Sequence, residues 1–233
     1  MLRRRVSRAW ARRGRRNSLQ WGQLDSPDLE ALVRGAIQRG NWGRERKRIV
    51  IEVGTGGGRG STVAICRALA ASNCLFRLVG YEGDSELALQ ASGYWVDTQD
   101  VEVVNEYFML REDVDLVVKP RIAPGDRDVY VPEFDALAAK PNFLVTPPPG
   151  PIDLLFIDSV RYTHLAIVRA TVPWLQPETV VLMEDDIPGY GELAIVESEF
   201  ELREVVRHEI GGHQWPLVRF RIATAPGLDP TGL

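Results

Sequence analysis

The sequence predicts a single α/β domain built on a seven-stranded, mostly parallel sheet with helices on both faces and a C-terminal antiparallel hairpin. Three observations predict it. Short β-branched apolar runs alternate with segments of helical periodicity, as in a parallel sheet covered by crossover helices. The first such run breaks into Gly54-Thr55-Gly56-Gly57-Gly58 and re-forms as a helix. The last two extended segments follow one another, separated by the turn-type run Gly211-Gly212-His213-Gln214.

Taken in order, Leu29, Leu32, Val33, Ala36 and Ile37 recur at helical spacing over 28–38, with Ser26-Pro27 as a start signal and Gly40 as a stop. Arg48 to Val53 is the first strand and Ser61 to Ala71 the helix after the glycine loop. Leu75 to Tyr81 is the second strand, Ser85 to Ala91 opens a helix, and Val101 to Val104 is the third strand. Between Arg111 and Pro151 the pattern breaks down into charged and proline-rich sequence with one short helix expected near Glu133 to Ala139. We read this stretch as an excursion and as an acceptor-side lid, since loops on a rigid scaffold commonly carry specificity. Order returns with a strand, Ile152 to Ile157, ending in Asp158. A helix from about His164 to Leu175 follows, then a strand from Thr179 to Met183, and the hairpin of Phe200 to His208 and Leu217 to Ala223.

The 233 residues suffice for one sizeable core, and no stretch approaches the roughly 20 uncharged residues of a membrane-spanning helix. Charge is uneven. Eight arginines fall between Arg3 and Arg16 and the first acid is Asp25, so residues 1–24 are read as a solvated, disordered tail and 25–233 as the domain. The acidic body argues against a broad phosphate-binding face, so any nucleic-acid contact falls to the tail. Leu2, Val6 and Trp10 recur at helical spacing amid the arginines, which also fits an anionic-membrane helix or an organelle transit peptide. No apolar run of secretory type follows, and the body is expected in the cytoplasm. Cys66 and Cys74 are expected as buried, reduced thiols.

The glycine loop lacks the final glycine of a dinucleotide-binding G-x-G-x-x-G, because Arg59 stands there, and this disfavours an NAD site. What it does carry is Glu52, a carboxylate two positions before Gly54, in Val50-Ile51-Glu52-Val53-Gly54-Thr55-Gly56-Gly57-Gly58. Glu82 closes the second strand thirty residues later. This ordered set resembles the class I S-adenosylmethionine-dependent methyltransferases, a Rossmann-like family, over about residues 28 to 224. The resemblance implies that Glu52, Gly54, Thr55, Gly56, Gly58, Ser61, Glu82 and Asn105 hold S-adenosylmethionine. Glu52 would serve the amino-acid end, Glu82 the ribose hydroxyls, and Asn105 or Glu106 would lie near the base.

Leu155-Phe156-Ile157-Asp158 and Val180-Val181-Leu182-Met183-Glu184-Asp185-Asp186 resemble the metal-binding segments of catechol-type and macrolide-sugar-type O-methyltransferases. The catechol-type register would bind Mg²⁺ through Asp158, Asp185 and Asp186, and the sugar-type register through Asp158, Glu184 and Asp185. Carboxylates gathered at adjacent strand ends repel unless protonated, solvated or neutralised by a cation. Relatives often have Asp-Gly-x-His after the fourth strand where this chain reads Asp158-Ser159-Val160-Arg161. The nearest histidine, His164, is therefore the general-base candidate beside Asp158. The expected activity is O-methylation of a small-molecule acceptor by a protein that is free to form a homo-oligomer. The alternatives are methylation of a protein or RNA guided by the tail, a non-catalytic binder of the same fold, and an oxidoreductase.

Overall fold

The computed structural model describes residues 27–144, 146–184, 191–209 and 217–224. The Arg-rich tail, Asp185, Asp186 and the Gly211–Gln214 turn lie outside these residues. In chain order the elements are α1 (Pro27–Arg39), β1 (Arg48–Val53), α2 (Ser61–Ala71), β2 (Phe76–Tyr81), α3 (Ser85–Trp95) and β3 (Val101–Val104). A helical run of three pieces, Arg111–Asp113, Val114–Val118 and Lys119–Arg121, precedes α4 (Arg127–Ala138). Then come β4 (Ile152–Ile157), α5 (His164–Thr171), β5 (Leu175–Glu184), α6 (Glu192–Glu197), β6 (Glu201–His208) and β7 (Leu217–Thr224).

The strands lie in the order β3-β2-β1-β4-β5-β7-β6. The first five are parallel and β7 is antiparallel to both of its neighbours. Strand alternation divides the core. Ile51, Val53, Leu155, Ile157, Val181, Met183, Val218 and Phe220 face one layer, and Val50, Leu78, Leu154, Phe156, Val180 and Leu182 face the other. α1, α2 and α3 cover the second layer with Leu29, Val33, Ile65, Leu69 and Trp95. Every residue of β4 is buried, as a central parallel strand covered on both faces requires.

The stretch from Arg111 to Pro151 differs from the expected excursion. It is largely helical and forms the covering of the first layer, burying Val114, Val117, Val118, Ile122, Phe134 and Leu137. Helical periodicity is hidden there because the run changes from α to π geometry at Val114 and Pro132 lies inside α4, so the apolar residues do not fall on one 3.6-residue stripe. The α6 helix was not anticipated; six residues are too few to show a period.

Candidate active site

The parallel strands β1, β2 and β4 end together, and the loops leaving them enclose a cavity of ≈ 190 Å³. Gly54, Gly56, Glu82, Glu106, Tyr107, Met109, Leu137, Asp158, Val160 and Thr163 are among its walls. Ligands of open α/β sheets bind at such carboxyl ends. Gly54 has φ +90°, and a Cβ placed on it would meet the carbonyl oxygen of Asp158 at 1.5 Å, so only glycine lets the β1 and β4 loops approach this closely.

Glu82 braces the glycine loop from the neighbouring strand. Its Oε2 accepts from the Gly56 amide at 2.6 Å and its Oε1 from the Asp84 amide at 2.9 Å. Burial raises its pKa against those two hydrogen bonds. The far end of the loop is held by Trp95, whose indole N–H donates to the Gly58 carbonyl at 2.9 Å.

Glu52 is fully buried beneath the loop and does not line the cavity. Ser61 Oγ donates to its Oε1 at 2.5 Å and Thr62 Oγ1 to its Oε2 at 2.7 Å, tying the carboxylate to the first turn of α2. Burial pushes its pKa up to about 7, the two hydroxyls oppose the shift, and the Glu82 charge adds to it. Ser61 thus serves Glu52 and the loop above it. Thr55 is buried and packed against Gly80. Asn105 is not among the cavity walls, and its amide donates to the Glu82 carbonyl at 2.8 Å. Its neighbour Glu106 lines the cavity and accepts from the amide and hydroxyl of Thr146 at 2.9 and 2.8 Å.

Asp158 lines the cavity, and its carboxyl is hydrogen-bonded to that of Glu184. The pairing of Ile157 with Met183 brings these two residues to adjacent strand ends. Burial first, and then the Glu184 charge, raise Asp158 well above the ordinary carboxylate range. No cluster of three or more metal-ligating side chains occurs among the described residues.

His164 is buried and is not among the cavity walls, a departure from its expected position beside the acceptor. Its Nδ1 lies 3.2 Å from Glu192 Oε2, while Glu192 Oε1 accepts from the Tyr162 amide at 2.5 Å. Tyr162 has φ +71°, and its hydroxyl donates to Asp126 Oδ2 at 2.6 Å. Glu192 and Asp126 thereby hold the cavity-lining turn after β4 from both sides. The sequence reading missed Thr62, Trp95, Glu192 and Asp126. Only Thr62 carried a signal, as a second hydroxyl beside Ser61 at a helix start.

The chain shares its fold with solved methyltransferase structures. One is the O-methyltransferase from Bacillus cereus in complex with SAH, 14% identical, TM-score 0.52, covering 95% of this chain and 90% of that one. Another is the O-methyltransferase TomG from Streptomyces achromogenes, involved in tomaymycin synthesis, in complex with SAM, 15% identical, TM-score 0.54, covering 93% and 90%. A third is the N-methyltransferase NodS from Bradyrhizobium japonicum WM9, 14% identical, TM-score 0.50, covering 86% and 100%. No protein-family model matches the sequence, and no curated protein sequence matches it. The Rossmann-like methyltransferase fold anticipated from the glycine loop is thus the fold of this chain, and no described helix is long and apolar enough to cross a membrane.

Proposed function

We propose that the chain is an S-adenosylmethionine-dependent methyltransferase that transfers a methyl group to a hydroxyl of a small-molecule acceptor, from a domain spanning 25–233. The observation that carries this reading is the bond from the Gly56 amide to Glu82, which joins the glycine loop to an acidic strand end over the cavity. Each Glu82 oxygen keeps a further lone pair for a ribose hydroxyl. Glu106, Tyr107 and Phe108 would bound the base, and Gly54 and Gly56 would let the backbone approach the amino-acid end. Glu52, with Ser61, Thr55 and Gly58, supports this cradle from beneath.

The acceptor would enter between Met109, Leu137, Val160 and Ile167, an apolar wall facing Asp158. With its raised affinity for protons, Asp158 is suited to take the proton of the attacking hydroxyl, with Glu184 sharing the charge. The pair also fits a divalent cation, since two hydrogen-bonded carboxyls at adjacent strand ends need either a shared proton or a counter-ion. Asp158 and Glu184, with Asp185 or Asp186, would hold Mg²⁺, and the ion would lower the pKa of the acceptor hydroxyl. His164 takes a structural part in this reading, through Glu192. Action on RNA or protein stays with the Arg-rich tail, and a cytoplasmic location belongs to the same reading.

The test is calorimetric titration of the purified protein with S-adenosylmethionine and S-adenosylhomocysteine, in parallel with NAD, each with Mg²⁺ and with chelator. Micromolar binding of the first pair, absent for NAD, is expected. No binding under any condition would overturn the proposal.

A further inference from the structure

We propose that the α1-facing side of the β6–β7 hairpin is a binding site for a compact oxyanion of the phosphate class, separate from the cavity and independent of the cofactor reading. In β7, Val218, Phe220 and Ile222 point into the first core layer and Leu217 into the second, so Arg219 and Arg221 stand on the second face. Pairing puts Val206 opposite Arg219 and His208 opposite Leu217, which adds His208 to that face. Arg39, the last residue of α1, brings a third guanidinium close enough for its charge to bear on both Arg219 and His208.

Arg219 is 8% exposed, and its one ion-pair partner among the described residues is Glu204, whose Oε2 lies 3.5 Å from Arg219 Nη1 and 3.5 Å from Arg221 Nε. Glu204 has φ +54°, beside the break in register between Arg203 and Val206, and is half exposed. Among the described residues, this one half-exposed carboxylate therefore serves both Arg219 and Arg221, with the charge of Arg39 nearby. The Nε atoms of Arg219 and Arg221 and the Nε2 of His208 are buried without a hydrogen-bond partner. Arg39 is exposed at the rim. Burial and then Arg39 lower the pKa of Arg219; burial, Arg219 and Arg39 lower that of His208.

Buried donors of this kind are costly unless met, and arginine forks match tetrahedral and planar oxyanions in bidentate fashion. A phosphate group has enough acceptor oxygens to serve Arg219, Arg221 and His208 together while Arg39 closes over it. A halide has no directional set of acceptors to offer.

The experiment is calorimetric titration of the full chain with inorganic phosphate, and separately with glycerol phosphate, against sodium chloride at matched ionic strength. Saturable one-to-one binding is expected, weakened about tenfold or more in Arg219→Gln and several-fold in Arg39→Gln, and unchanged in Arg77→Gln on β2, toward the other end of the sheet. Tighter binding of glycerol phosphate identifies a phosphomonoester as the ligand, and equal binding identifies the free anion. Absence of saturable binding, or binding that Arg39→Gln and Arg219→Gln both leave intact, overturns the proposal. Because Arg39 is exposed, its variant tests the site even if Arg219→Gln fails to fold.

Discussion

Glu82 Oε2 and the Gly56 amide, from the ends of neighbouring parallel strands, are joined at 2.6 Å across the mouth of the cavity. The bond makes one carboxylate both a brace for the loop and a wall of the site. Replacing it removes two functions at once. Glu82→Ala is expected to weaken S-adenosylhomocysteine binding by roughly 1.5–3 kcal/mol, the worth of hydrogen bonds to a charged group. Glu82→Gln should lie between. Calorimetry on the three proteins checks this, and equal affinity in all three would remove Glu82 from the site.

Gly54 and Gly57 form a contrasting pair within one loop. Alanine at Gly54 meets the Asp158 carbonyl and a φ of +90°, whereas at Gly57 the nearest atom is the flexible Gln90 side chain at 3.6 Å. Gly54→Ala should lower stability on the order of 3 kcal/mol and Gly57→Ala by under about 1 kcal/mol. Urea unfolding of both variants decides it; similar losses would mean that the close approach of β1 to the β4 loop does not matter.

Glu52 makes stability depend on pH. Its folded pKa of about 7 lies above the ordinary 4.5, so the native state binds the extra proton. The stability from this group is fully present below about pH 4.5 and is lost as pH rises through 7, a change on the order of 3 kcal/mol. Glu52→Gln should flatten the difference in unfolding free energy between pH 5 and pH 8. An unaltered difference would show that Glu52 is not the titrating group.

Asp158→Asn keeps the size of the side chain and removes the charge shared with Glu184. In the proposed reading it should abolish any Mg²⁺-dependent gain in cofactor binding or turnover, yet leave S-adenosylhomocysteine affinity within about threefold, because the glycine loop and Glu82 are untouched. Retention of full ion dependence would exclude Asp158 as a ligand.

Glu192→Ala leaves the Tyr162 amide and His164 without their buried carboxylate. A loss of about 3 kcal/mol in unfolding free energy is expected. A change of under about 0.5 kcal/mol would mean that the turn after β4 is held from the Asp126 side alone.

The order of the elements and the cofactor-type loop were legible in the sequence because both are local. A strand end, three glycines with left-handed backbone and a carboxylate at a set spacing need only neighbours along the chain, and Gly54, Gly56, Glu82 and Asp158 do meet at one cavity. The helical layer from Arg111 to Ala138 was not legible, because its burial comes from the sheet it covers and its period is broken at Val114 and Pro132. Nor was the division of labour among the acids. Glu52 lies under the loop because Ser61 and Thr62 reach it from α2, Asn105 turns to the Glu82 carbonyl, and His164 faces Glu192. Which way a side chain points at the end of a strand depends on the helices and strands that fold against it. Those contacts join residues far apart in the chain, and only the tertiary structure decides them.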